Sequence, residues 1–374
     1  MGKQTIALCM IVKDEADVIE RCFDSVKDFV DYYVICDTGS TDGTPELVKN
    51  YLQKHGLEGE VHHHAWVDFG HNRSLAFDLG EGKSDYILTL DADEVIAPYA
   101  DDEPNLFSKI TELPELTADR IYITTVLGSS RYQRHQLFKN GLNWKWLQPV
   151  HEVCNSDEIQ SQATLDDLCV FASTQDGGRS KDGKKFLRDA CLFEKFLIDN
   201  PTNERSWFYL AQTYGDAGNY KRALEATEEY LKLAWWDQEI YIAKLRKARW
   251  NLNLTDSIEE CTTDYLEAYS VIPTRLEALF DLVRYYSRKD KWHQAMLFGK
   301  AGLGVEYPGK ETLFIERDIY TWQFKDLVSV ACFYAGDQEL GVKLVLELLD
   351  SPHLPEDQRE RVEGNLKQFE VKEL

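Results

Sequence analysis

The chain has 374 residues, 43% hydrophobic and 12% aromatic, enough for two or three domains with cores of their own. Its 42 Lys and Arg stand against 65 Asp and Glu, a formal charge of −23, which disfavours duplex nucleic acid and anionic membranes because both are held by basic stripes. No run approaches the ~20 apolar residues of a spanning helix. The first residues lack a signal peptide's architecture, and the eight scattered cysteines show no C-x-x-C pair, so a cytoplasmic location with free thiols is expected.

In chain order, Thr5 to Val12 reads as a buried strand, and Ala16 to Phe29 as a helix with Val18, Ile19, Cys22, Phe23, Val26 and Phe29 on one face. Tyr32 to Cys36 is a second strand. Thr44 is the expected N-cap, with Pro45 at the first helical position, of a helix running to about His55. Glu60 to His64 is a third strand, Asn72 to Leu79 a helix, and Tyr86 to Leu90 a fourth strand ending at Asp91, Asp93 and Glu94. This βαβαβαβ order predicts a doubly wound parallel sheet with helices on both faces. An acidic, turn-rich stretch from Pro98 to Pro114 precedes a further strand, Arg120 to Leu127. Gln175 to Lys185 (QDGGRSKDGKK) is the clearest flexible segment and the expected domain boundary, beyond which the pattern is helical.

The helical part repeats. Trp207, Leu210, Tyr214, Tyr220 and Ala223 recur 72 residues later (286 − 214) as Leu279, Leu282, Tyr286, Trp292 and Ala295. Half that offset is near the tetratricopeptide period of about 34 residues, and Trp250 falls on the Tyr214 position of a degenerate middle copy. The stretch WFYLAQTYGDAGNYKRALEA resembles a tetratricopeptide unit. An irregular helical bundle is the competing reading.

The chemistry gathers at strand ends, where ligands collect in open α/β sheets. Asp91 and Asp93, spaced i, i+2, can hold one hard divalent cation and through it a phosphate or diphosphate; in isolation such acids cap a turn. Asp37 closes the second strand and opens DTGSTDGT, where it can accept from a nucleobase imide or a ribose hydroxyl, or equally serve as an N-cap. His62, His63 and His64 do not converge on one ion, because consecutive strand residues point to opposite faces.

Together, MIVKDEADVIERC, CDTGSTDGT, DFGHNRS and LTLDADE closely resemble the nucleotide-binding half of family 2 glycosyltransferases of the GT-A fold. RHQLFKNGLNWKWLQPVHEV and GGRSKDGKKFLRDACLFE, followed by the repeats, resemble the subgroup whose sugar-transferring domain carries a tetratricopeptide tail. The resemblance implies an α/β, mostly parallel GT-A domain over residues 1–180 and an all-α, tetratricopeptide-like domain over residues 181–374. It also implies an inverting, metal-dependent enzyme that moves a sugar from a nucleotide-diphosphate donor, a UDP-sugar such as UDP-glucose first, to a hydroxyl of a glycan, peptide or protein.

Residue by residue, the resemblance places Val12 and Lys13 beside the donor nucleotide, with the Val12 backbone along the base. Asp37 contacts the base and Arg73 lies near base and ribose. Asp91 meets the ribose or a metal-bound water, and Asp93 coordinates Mn2+ or Mg2+. Glu152 is the implied base, His151 a further metal ligand, and Trp144 and Trp146 stacking faces for a sugar. Many relatives have a histidine where this chain reads STQDGG, so Gln175 or Asp176 stands in that region and His151 is the substitute ligand. Arg179, Lys184 and Arg188 fold over the diphosphate or form a solvated linker. Competing with this reading are a nucleotidyltransferase and a scaffold with a vestigial nucleotide-sugar domain. The former normally has a Gly-rich, basic loop where this chain has VKDEAD. The repeat array is expected to present the acceptor, to buttress the first domain or to form a homodimer.

Overall fold

The computed structural model describes residues 3–100, 103–128, 130–172, 184–309 and 313–372. Its first part runs β1 (Ile6–Val12), α1 (Ile19–Val26), β2 (Tyr32–Asp37), α2 (Thr44–His55), β3 (Glu58–His63), α3 (Phe69–Gly80), β4 (Tyr86–Leu88), β5 (Val95–Ala100), β6 (Glu103–Pro104), β7 (Arg120–Leu127), β8 (Ser130–Lys139), β9 (Lys145–Leu147), β10 (Val153–Asn155) and β11 (Gln162–Phe171).

β1 is apolar throughout because it is central, paired in parallel with β2 on one side and β4 on the other. Alternation along it feeds two cores. Leu8 and Met10 join Phe23, Val26, Tyr33, Val48 and Tyr51 beneath α1 and α2. Ala7 and Cys9 join Ala76, Phe77, Phe138 and Trp144 on the face covered by α3. The four parallel strands continue into a mixed sheet, in the order β3-β2-β1-β4-β8-β7-β11-β5-β6, with β8 antiparallel to β4 and to β7. β9 and β10 form a separate antiparallel pair.

Two local expectations shift. The fourth strand stops at Leu88 rather than Leu90, because the acids behind it fold into a turn in which Glu94 N–H donates to Asp91 O at 3.0 Å. Gly43, at φ 89°, occupies the N-cap of α2 in the left-handed region that glycine tolerates. Thr44 is instead the first helical residue, and its hydroxyl donates to Asp42 Oδ1 at 2.6 Å.

The helical part comprises α4 (Lys185–Asp199), α5 (Glu204–Asp216), α6 (Tyr220–Leu233), α7 (Asp237–Thr255), α8 (Ile258–Val271), α9 (Glu277–Arg288), α10 (Trp292–Gly302), α11 (Phe324–Ala335), α12 (Gln338–Asp350) and α13 (Glu356–Lys372). The 72-residue offset carries α5 and α6 in sequence onto α9 and α10, and successive helices from α6 to α13 pack as neighbours. The degenerate middle copy is α7/α8, in which Trp250 lies against Gly215 so closely that a Cβ there would sit 2.3 Å from the indole. Two compact units divide between Thr213 and Tyr214, so α4 and most of α5 belong with the sheet. The boundary expected at 180/181 falls within residues 173–183, outside the described residues. Among the described residues no helix is long and apolar enough to cross a membrane.

Candidate active site

Two loops at the carboxyl ends of β1 and β2 are laced together. Asp14 N–H donates to Ser40 Oγ at 2.9 Å, Thr41 N–H to Asp14 Oδ1 at 2.6 Å, Glu15 N–H to Thr44 Oγ1 at 2.9 Å and Ala16 N–H to Asp42 Oδ2 at 3.0 Å. The polar residues of DTGSTDGT thus tie the two loops together. Val12 is buried, and its carbonyl accepts from Thr38 N–H at 2.9 Å. Lys13 is exposed beside it.

Asp37, 3% exposed, accepts from Ser40 N–H at 3.1 Å, Gly39 N–H at 3.2 Å and His63 Nδ1 at 3.2 Å. Burial pushes its carboxyl up, but the hydrogen bonds from Ser40, His63 and Gly39 outweigh it and hold the group below the usual carboxylate range. Asp37 is therefore an anion with a set orientation at the strand end. Neighbouring His62 turns the other way, pairing with Glu60 at 2.9 Å and stacking with His64 at 6.1 Å, so the three histidines do not converge.

The DFGHNRS motif makes one helix start. Asp68 caps α3 through His71 N–H at 2.7 Å. Gly70 is required because the carbonyl of Gln148 passes 2.6 Å from where a Cβ would stand. Asn72 staples the incoming chain, donating to Ala65 O at 3.0 Å and accepting from Val67 N–H at 2.9 Å. Ser74 Oγ accepts from Trp146 N–H at 2.9 Å. These contacts place Arg73 with its side chain 9% exposed. Its Nη2 donates to Asp91 Oδ1, its Nε to Glu152 Oε1, and its Nη1 to Thr89 Oγ1 at 3.4 Å. Trp146 covers the guanidinium, with its ring centroid 5.4 Å away. Arg73 is thus the bridge between the acid loop and the candidate base.

In the acid loop the three carboxylates divide their work. Glu94 is structural: it accepts from Asp91 N–H at 2.9 Å and pairs with Arg134 of β8 at 2.7 Å. At Asp91, partial desolvation is outweighed by Arg73, Arg134 and Lys185, and the carboxyl is held below its ordinary range. Asp93 forms no ion pair among the described residues; burial and the charge of Asp91 push its carboxyl up to about 6. A hard divalent cation fits this donor set, because carboxylate oxygens are its preferred ligands and its charge relieves the repulsion between Asp91 and Asp93. Among the described residues no third His, Cys, Asp or Glu gathers with them.

Glu152 joins the site, its side chain 10% exposed. Oε1 belongs to Arg73, and Oε2 has no hydrogen bond among the described residues. His151 does not join Asp91 and Asp93 as the resemblance implied. Its backbone lies in the left-handed region (φ 50°), and its ring stacks on Tyr209 of α5 at 4.3 Å. Trp144 is 4% exposed and packed on Phe138, and its indole N–H donates to Lys139 O at 2.8 Å. Trp146 packs on Phe77 and Phe138 as well as Arg73. Lys184 and Arg188 are exposed at the start of α4, while Arg179, Gln175 and Asp176 lie outside the described residues. Sequence reasoning passed over Arg134 and Lys185. The only signal for Arg134 was the basic run RYQRHQ; for Lys185 it was the pair at 184–185.

Residues 7–155 match the family described as glycosyl transferase family 2, and residues 192–225 match a tetratricopeptide repeat. Among curated proteins, a TPR repeat-containing protein of Synechococcus elongatus is 35% identical over 159 residues, 42% of this chain and 37% of the relative. The SPbeta prophage-derived glycosyltransferase SunS of Bacillus subtilis is 23% identical over 214 residues, 56% of this chain and 49% of the relative. The chain thus spans between a third and a half of the length of these relatives. A solved mannosyltransferase, PcManGT from Pyrobaculum calidifontis in complex with GDP-Man and Mn2+, is 13% identical with a TM-score of 0.38, covering 81% of this chain and 88% of that one. Residues 7–155 of this chain are a family 2 glycosyltransferase domain, and a tetratricopeptide repeat follows it at 192–225.

Proposed function

We propose that the protein is an inverting, metal-dependent glycosyltransferase that moves a sugar from a nucleotide-diphosphate donor, with a UDP-sugar as the leading candidate, to a hydroxyl of a glycan, peptide or protein. The observation that carries this reading is the bridge Asp91–Arg73–Glu152 behind the carboxyl end of β4, with Asp93 two residues beyond Asp91.

Asp37 offers carboxylate lone pairs to a base N–H, that of uracil N3 first, with a guanine N–H as its rival. Asp93, with Asp91, would hold Mn2+ or Mg2+, which would supply the positive charge that neutralises a diphosphate leaving group. Arg73 holds Glu152 so that Oε2 faces an incoming acceptor. As the bond between the sugar's anomeric carbon and the diphosphate oxygen breaks, the acceptor oxygen forms the new bond and its proton passes to Glu152 Oε2. Lys184, Arg188 and Arg179 are the cations proposed around the diphosphate, and Lys13 lies beside the donor nucleotide. The helical repeats, whose stacking builds extended surfaces, are the proposed seat of a chain-like acceptor.

The test is release of sugar from UDP-glucose, UDP-galactose and GDP-mannose by the purified protein with Mn2+, beside a screen of the same donors for thermal stabilisation. Turnover of one of them that EDTA stops is the expected result. Donor binding and turnover both absent across the screen would favour the scaffold instead.

A further inference from the structure

Glu152 is held at its carboxylate by Arg73, but its backbone follows a segment that carries two non-glycine residues in the left-handed region, Gln148 (φ 74°) and His151 (φ 50°). Such backbone persists only where its surroundings over-determine it. One side is α3: Phe69 N–H donates to Pro149 O at 3.2 Å, and Gly70 gives room to the carbonyl of Gln148. The other side is the first helical pair. The imidazole of His151 stacks on Tyr209 of α5 (4.3 Å, 19°) and parallels Phe193 of α4 (6.2 Å, 13°). Arg205, one turn before Tyr209, lies 4.7 Å over the Tyr209 ring and donates from Nη2 to His151 O at 3.2 Å. Arginine, tyrosine and histidine thus form one layered column that ends on the residue preceding Glu152.

We propose that α4 and α5 are a working part of the transfer site, and that Tyr209 and Arg205 are positioning residues that set the aim of Glu152 through His151. This rests on Glu152 being the base. Phe193, Arg205 and Tyr209 all lie within the 192–225 stretch that matches a tetratricopeptide repeat, so the first repeat is committed to the chemistry rather than to partner binding. The compact unit containing the sheet extends through Thr213 and so includes all three residues.

The column predicts a split between binding and turnover. In the full-length protein, Tyr209→Ala should lower the turnover number for UDP-glucose hydrolysis with Mn2+ by about 10- to 100-fold, the scale of loss from a misplacement of about 1 Å. UDP affinity by calorimetry should stay near wild type. Tyr209→Phe, which keeps the ring, should restore most of the loss, and Arg205→Met should reproduce part of it. In a Glu152→Gln background Tyr209→Ala should add almost nothing, since residues that act as one unit are not additive.

Additive losses, or a Tyr209→Ala protein with a lower melting temperature and wild-type turnover, would reduce the column to packing and overturn the proposal while leaving the base assignment intact. A Glu152→Gln protein with normal turnover would sink the base assignment and the proposal with it. The stack is also read without activity: the His151 Cε1 proton should be shifted upfield by the Tyr209 ring and return in Tyr209→Ala. An unshifted resonance in the wild type overturns the geometry.

Discussion

Arg73 donates from Nε to Glu152 across 79 residues of chain, and the same guanidinium holds Asp91. One buried cation therefore compensates two acids, Asp91 of the acid loop and Glu152, the proposed base. Removing it should be costly twice over. Arg73→Ala is expected to lose about 3 kcal/mol of stability, the low end for a broken buried pair because Asp91 is partly solvated, and to abolish turnover. Chemical unfolding of the variant checks this; a midpoint like the wild type's would mean that the bridge is not formed in solution. Arg73→Lys should rescue stability in part and turnover poorly, because an ammonium cannot reach both acids.

Asp93 gives the site a pH signature. Its folded-state pKa is raised to about 6 from an ordinary value of 3.8. Between those values the native state binds more protons than the unfolded state, so this group's contribution makes stability fall as pH rises from about 4 to 6, then level off. Metal-free Asp93→Asn should melt higher than the wild type at pH 7 and lack that slope. Mn2+ should stabilise the wild type at pH 7, progressively less below pH 6, and the variant hardly at all. Equal stabilisation of both proteins would remove Asp93 from the metal site.

The orientation of Asp37 makes base choice measurable. UDP should bind more tightly than ADP at fixed Mn2+, with GDP retained as a rival because guanine also offers an N–H donor. Asp37→Asn should narrow the difference. Calorimetric affinities that are equal for all three nucleotides would mean that Asp37 does not read the base.

In the second compact unit, Arg275 and Glu277 are fully buried and paired at 2.8 Å, and the hydroxyls of Tyr241 and Tyr320 each donate to Glu277 Oε2 at 3.0 Å. Glu277→Gln leaves the guanidinium without its counter-charge and should cost the unit about 3–5 kcal/mol. Urea unfolding followed by tryptophan fluorescence reads it. No change in the transition would show that this network is not what holds the repeats in register.

What could be read from the chain alone followed the range of the interactions. The parallel strands, and Asp37, Arg73 and Asp91 at their ends and at the start of α3, were legible because each is declared within a few residues, by an apolar run meeting an acid or by a helix start such as DFGHNRS. The antiparallel insertion of β8 beside β4 was not, since strand pairing at that distance leaves no local pattern, and with it went the Glu94–Arg134 pair that shapes the acid loop. Trp144 and Trp146 illustrate a second limit. Aromatic density identified the region, but only packing distinguishes a ring buried against Phe138 from one laid over Arg73. His151 illustrates a third: its residue type suits a metal, yet Tyr209, 58 residues on (209 − 151), captures its ring.

The most direct test of the account is Glu152→Gln assayed in parallel for UDP affinity and for sugar transfer from the accepted donor. The exchange keeps the shape and removes the proton acceptor, so turnover should fall by orders of magnitude, roughly 10²–10⁴-fold for a lost general base, while UDP with Mn2+ binds as in the wild type. Turnover within a few-fold of the wild type would contradict the account and move the search for the base to Asp157 or Asp176.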